Sequence, residues 1–151
     1  MKKRVDYAKT APTATKMLIE IEKYIAKTNI DFELRELIKI RASQINGCAF
    51  CLNMHTKEAR AGGMTDQRID CVAAFQDGEM YTEREKVALE LTEQMTLIAE
   101  CGVSDELYNR VREHFSEKDF VDLVFIINQI NSWNRLSIAT GNYAEQDTKT
   151  K

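Results

Sequence analysis

Residues 32–61, FELRELIKIRASQINGCAFCLNMHTKEARA, decide how this chain reads. Leu34, Leu37, Ile38, Ala42 and Ile45 recur at the three- and four-residue spacing of a helix from Phe32 to Asn46. Asp31 stands before that helix as an N-cap. Gly47 ends it, because glycine enters the left-handed conformation that closes a helix without steric cost. A second helix, Cys48 to Ala61, follows and stops at Gly62-Gly63. No alternation of apolar and polar residues competes, so the stretch predicts two helices folded back on each other.

The same reading extends outward. Thr13 to Lys27 carries Leu18, Ile21 and Ile25 roughly in line, and Thr65 caps a short piece with Ile69, Val72 and Ala73. Thr82-Glu83-Arg84-Glu85 is a capping box, with a hydroxyl at the N-cap and a carboxylate three residues on. It opens a helix with Val87, Ala88, Leu91, Met95 and Ile98 on one stripe. Ser104 caps another, with Leu107, Val111 and Phe115. Ser116 opens the last, where Phe120, Val121, Leu123, Val124, Phe125, Ile126, Ile127 and Ile130 surround the axis. A helix apolar on every side is buried on every side, which predicts a central helix or one covered by another subunit. The expectation is an all-α, single-domain bundle of about seven helices over residues 1–151, with its core at about 13–140. The ends, 1–10 and 145–151, are expected to be flexible.

Composition narrows the partners. The 151 residues have a net charge of −3 and no basic stripe, so no nucleic-acid partner is expected. Apolar runs fall short of the roughly 20 residues of a membrane span, so no membrane partner is expected. Met1-Lys2-Lys3-Arg4 is basic, but no apolar signal stretch follows. The expected address is cytoplasmic, where structural disulfides are rare. The four cysteines then need another explanation.

Cys48, Cys51 and His55 supply one. Spacings of three and four put them on one helical face. Cys48, beside Gly47, starts its helix, where free N–H groups favour a thiolate and where the side chain is expected near solvent. If the two helices pack antiparallel, His55 lies about 10 Å down from Cys48 and Glu36 about 16 Å down from Gly47, within reach of each other. Glu36 would hold the imidazole in one tautomer, as the orienting member of a triad does. The order along the groove is then Glu36, His55, Cys51, Cys48: a proton relay leading to a dithiol.

Glu36 to Cys51, followed by His55, resembles the core of the alkylhydroperoxidase D-like branch of the carboxymuconolactone decarboxylase family. Thr82 to Leu89 and Ser132-Trp133-Asn134-Arg135-Leu136 also resemble it. The Glu-x11-Cys-x2-Cys-x3-His pattern is quite specific. The resemblance implies an all-helical fold in homotrimers or hexamers and thiol-dependent reduction of alkyl hydroperoxides, with no cofactor such as haem or flavin and no metal. It also implies an external dithiol electron donor, lipoyl or thioredoxin-like. By position, Glu36 and His55 match the relay, and Cys48 and Cys51 the catalytic dithiol. Phe50 stands where the better-known hydroperoxidases have a histidine.

The chemistry expected is attack by a thiolate on a hydroperoxide, condensation of the sulfenic acid with the second thiol, and reduction by the donor. Cys51, beside His55, is read as the activated thiolate and Cys48 as the residue facing the reductant, with the reverse assignment open. Two other readings compete. Cys48, Cys51 and His55 could bind zinc in a helical interaction module, with Cys71, Cys101 or His114 as fourth ligand. A decarboxylase-like enzyme could act on a small lactone acid through His55 and Arg135. Asn128, Asn131, Asn134 and Arg135 read as a hydrogen-bonded seam, with pocket lining as the sharper alternative.

Overall fold

The computed structural model describes residues 3–144, and every regular element among them is helical. The order is α1 (Tyr7–Thr10), α2 (Pro12–Ile25), α3 (Phe32–Asn46), α4 (Ala49–Ala61) and α5 (Asp66–Asp70). A 3₁₀ turn at Val72–Ala74 leads to α6 (Glu83–Thr96), α7 (Ile98–Cys101), α8 (Asp105–His114) and α9 (Glu117–Thr140). The seven helices expected are all present, and α1 and α7 are additional single turns. The caps match their residue types. Asp31 accepts from the Leu34 N–H, Ser104 from that of Leu107 and Ser116 from that of Asp119, and Thr82 and Glu85 form the reciprocal capping box. Pro12 takes the first position of α2, where its missing N–H has no intrahelical partner to lose.

The central helix is α3, so of the two alternatives expected for α9, a central helix or one covered by another subunit, the first does not hold. The α3 helix packs against α4, α6 and α9, and Glu36, Leu37, Ile38, Lys39 and Ile40 are buried in succession. On α9, Val121, Phe125 and Ile138 remain 45%, 46% and 44% exposed in the single chain. The polar residues of α3 disguised its position, because each finds a partner inside the bundle.

Ile25, Leu34, Ile38, Leu91, Val111 and Ile126 belong to the main core, and Leu37, Ile40, Phe75 and Leu89 to a second. Burying such side chains stabilises by about 1.5–3 kcal/mol each before the entropy of ordering them is counted. A polar seam joins α3 to α9. Asn46 Nδ2 donates to Asn131 Oδ1 and Asn134 Oδ1, both at 2.9 Å, and Asn134 Nδ2 to Ser43 Oγ at 2.9 Å. The seam reading therefore holds for Asn131 and Asn134, and Arg135, though exposed, joins it by donating to Asn131 Oδ1, whereas Asn128 lies on the exposed side.

Of the N-terminal stretch expected to be flexible, Arg4 and Tyr7 contact α9. The Arg4 N–H donates to the Thr140 carbonyl at 2.9 Å, and the Tyr7 ring sits 6.3 Å from that of Trp133. The expectation for 145–151 lies outside the described residues. Among those described, no helix is long and apolar enough to cross a membrane.

Candidate active site

The turn between α3 and α4 builds the site. Gly47 has φ +67°, a left-handed conformation that β-carbons disfavour. Its N–H donates to the Gln44 carbonyl, and the Cys48 N–H to that of Ser43 at 3.0 Å. This reversal makes Cys48 the N-cap of α4, its Sγ accepting from the Cys51 N–H at 3.4 Å. The two cysteines are joined in a disulfide, with Cα atoms 5.4 Å apart. Helix α4 runs back along α3, as the antiparallel reading required, and brings His55 to Glu36.

Glu36 Oε2 lies 2.9 Å from His55 Nδ1, and the two residues are only 2% and 4% exposed. Burial works against the charge on Glu36. Hydrogen bonding to His55 and the positive charge of Lys39 outweigh it and hold the carboxyl below the usual glutamate range. An ionised Glu36 accepts the Nδ1 proton, which leaves Nε2 of a neutral imidazole as the basic nitrogen. Cys51, one turn before His55 on α4, lines the same cavity as the ring. That cavity encloses about 240 Å³ and is walled largely by Tyr7, Phe50, Met54 and Trp133. Phe50, at the position where a histidine was noted in the family, therefore contributes an apolar wall.

The four residues expected at the site are brought together in the order inferred. One expectation is overturned. Cys48 is 1% exposed, as is Cys51. The start of α4 faces inward, where Cys48 packs with Ala42 and Ile130, so the cavity reaches Cys51 and not Cys48. A helix start beside a glycine is exposed only if the turn points outward, and this one folds beneath α9.

Sequence reasoning missed a second layer. Lys39 Nζ lies 3.4 Å from Glu36 Oε1 and 3.4 Å from Glu22 Oε2, and Trp133 Nε1 donates to Glu22 Oε1 at 2.9 Å. Glu58 Oε2 is 3.3 Å from His55 Nδ1. Lys39 follows Glu36 by three residues and Glu58 follows His55 by three, a spacing that could have signalled both. Glu22 and Trp133 arrive from distant helices and leave no local trace.

The competing sets are not assembled. Among the described residues, the ligand atoms close enough to share an ion belong to Glu36, His55 and Glu58, within 4.8 Å of one another. Neither Cys48 nor Cys51 is in that group, and neither are Cys71, Cys101 or His114. Cys71 is half-buried and Cys101 exposed, each a free thiol. Arg135 is exposed, donates to Asn131 Oδ1 at 3.0 Å and does not line the cavity at His55.

Helical architecture and the Glu-x11-Cys-x2-Cys-x3-His site together define a class. Residues 12–94 match the model of the carboxymuconolactone decarboxylase family, and the chain belongs to that family, in its alkylhydroperoxidase D-like branch. It is 56% identical over 144 residues to the uncharacterized protein YdfG of Bacillus subtilis strain 168, covering 95% of this chain and 98% of that one. It is similar to the crystal structure of ATU0492 from Agrobacterium tumefaciens, a protein of unknown function proposed to be the antioxidant defence protein AhpD. That match has a TM-score of 0.91 and 36% identity, over 96% of this chain and 100% of the other. An uncharacterized peroxidase-related protein from Ralstonia eutropha JMP134, described as an AhpD core, shares the fold. Its TM-score is 0.80 at 19% identity, over 93% of this chain and 74% of that one.

Proposed function

We propose that this protein is a thiol-dependent peroxidase that reduces alkyl hydroperoxides through Cys48 and Cys51. The observation that carries the reading is the buried Glu36–His55 pair at 2.9 Å, beside a cavity that Cys51 lines. In the reduced protein His55 Nε2 takes the Cys51 proton, and Glu36 stabilises the resulting imidazolium. The Cys51 thiolate attacks the outer peroxide oxygen, the O–O bond breaks, and the alkoxide leaves as an alcohol with the proton from His55. Cys51 is now a sulfenic acid. The Cys48 thiol attacks its sulfur, a disulfide forms and water leaves. An external dithiol, lipoyl or thioredoxin-like, then reduces the disulfide by two exchange steps and is itself oxidised.

Buried sulfurs bear on the roles within the pair. With Cys51 on the cavity and Cys48 behind it, both the peroxide and the donor are proposed to meet Cys51, and Cys48 resolves the sulfenic acid. The similarity to ATU0492, proposed as AhpD, supports a peroxidase role. Assembly into a homotrimer or hexamer and a cytoplasmic site of action complete the proposal.

The test is direct. Protein reduced by dithiothreitol, freed of reductant and given one equivalent of cumene hydroperoxide should lose two thiols, both on the peptide holding residues 48 and 51. In Cys48→Ser, dimedone should label Cys51 after peroxide, whereas Cys51→Ser should remain unlabelled at Cys48. Retention of both thiols in the unmodified protein would refute the reading, and label confined to Cys51→Ser would reverse the roles.

A further inference from the structure

The cavity at Cys51 is walled by the rings of Tyr7, Phe50 and Trp133, and among its described lining residues Glu22 is the one carboxylate. Both of its oxygens are held. Trp133 Nε1 donates to Oε1 at 2.9 Å, and Lys39 Nζ lies 3.4 Å from Oε2. These two contacts hold the carboxylate at the cavity wall.

Lys39 does not cancel it. Its single ammonium is shared with Glu36, 3.4 Å away, and Glu58 adds a third carboxylate beside His55. Arg35 lines a separate cavity, one that Glu22 also borders, and its guanidinium donates to the Ile30 carbonyl. The cavity that reaches Cys51 thus combines apolar walls with a fixed negative charge.

We infer that Glu22 sets the charge selectivity of this cavity, so that it takes neutral, apolar hydroperoxides of aryl-alkyl size and turns away those bearing a carboxylate. The inference rests on the reading that this cavity admits the substrate. Two effects act in the same direction. An entering anion gives up hydration against rings that return no hydrogen bond. It must also sit near Glu22, because a sphere of 240 Å³ is only roughly 8 Å across, and repulsion over that distance at an intermediate dielectric amounts to at least about tenfold in affinity. Desolvation alone would penalise cations and anions alike, so a cationic ligand separates the two effects.

The experiment uses redox-inert product analogues on the full oxidised chain, with fluorescence of Trp133, the single tryptophan, as the binding signal. The probes are 2-phenylpropan-2-ol, its para-carboxylate and its para-trimethylammonium derivative. The neutral alcohol should bind at least about tenfold more tightly than the carboxylate, and the cation should bind more tightly than the carboxylate by a similar factor. Glu22→Gln keeps an oxygen acceptor for the Trp133 N–H, and in it the neutral-to-anion ratio should fall about tenfold, to what desolvation alone leaves. Equal binding of neutral and anionic probes overturns the inference. So do equal penalties for cation and anion, an undiminished ratio in Glu22→Gln, or no fluorescence response to any probe. The matched hydroperoxides then separate this inference from the peroxidase reading. Selective binding without thiol loss sustains the role of Glu22 and refutes the peroxidase, whereas thiol loss at equal kcat/KM for the neutral and carboxylated hydroperoxides refutes the role of Glu22 alone.

Discussion

Replacing Glu36 by glutamine tests whether the buried carboxylate works on His55 through its charge. Glutamine has nearly the same shape and can still accept the Nδ1 proton, so the change removes charge while keeping a hydrogen bond. The carboxylate lies 2.9 Å from Nδ1 in a site closed to solvent, with Glu36 2% exposed. Opposite unit charges about 4 Å apart interact by about 4 kcal/mol at an effective dielectric of about 20. Lys39, 3.4 Å from the other carboxylate oxygen, offsets part of that field. Taking half leaves about 2 kcal/mol of imidazolium stabilisation, or roughly a 30-fold slower deprotonation-dependent step. The assay is single-turnover oxidation of the reduced protein by cumene hydroperoxide at neutral pH, followed by thiol loss. Helicity and thermal unfolding are checked alongside. A second arm adds E36Q to His55→Gln. If the two residues act as a unit, the added substitution slows the reaction little further. A folded E36Q protein that reacts within threefold of the wild-type rate would refute the electrostatic role of Glu36.

The helices were legible in the sequence because local chemistry punctuates them. Asp31, Thr82, Ser104 and Ser116 each cap a helix through their own side chain, and Gly47 and Gly141 close two of the same helices, α3 and α9, in left-handed geometry. Their spatial rank was not legible. Apolar residues on every side of α9 argued for a central helix or one covered by another subunit, and in the single chain Val121 and Phe125 face outward. The central position belongs to α3, whose Glu36, Lys39 and Ser43 look like residues of a wet face. A polar residue reads as exposed until its partner is known, and Lys39 has its partners on two helices.

The site was legible to the depth that helix geometry reaches. Spacings of three and four put Cys48, Cys51 and His55 on one face, and the rise per residue placed Glu36 opposite His55. Solvent access was not legible, because it depends on which way the Gly47 turn points. That direction buries Cys48 against Ile130, a residue 82 positions further along the chain. The same limit hid Glu22 and Trp133, which meet only after α2 and α9 have packed. A relay on one hairpin can be read from periodicity, whereas the charge and shape of the cavity above it are set by elements with no local signature.

Other perturbations probe the scaffold and the buried charges. Lys39→Met leaves Glu36 and Glu22 without their shared cation and should destabilise the oxidised protein by about 3 kcal/mol in urea unfolding at neutral pH; a loss under about 0.5 kcal/mol would mean that the ion pairs do not persist. Asn134→Ala strips partners from half-buried Asn46 and fully buried Ser43 and should cost about 1–3 kcal/mol, read as a lower thermal midpoint. Gly47→Ala forces a β-carbon into φ +67° and should cost about 1–2 kcal/mol, although open space surrounds the position. The last prediction concerns pH and follows from the sign of the Glu36 shift. Its folded carboxyl titrates below the ordinary value of 4.5, so protons bind it more readily in the unfolded chain. Its ionisation therefore contributes stability that is complete above 4.5 and is lost as pH falls through the lower folded value. Once the medium is acid enough for the imidazole to be protonated throughout, the stability gap between wild type and E36Q should shrink on further acidification, while carboxylates common to both proteins cancel in the difference. Urea unfolding of both proteins from pH 4.5, the ordinary value, down to about pH 3.5 measures that gap, and a gap that grows over this window would show that burial, not pairing with His55 and Lys39, dominates the Glu36 environment.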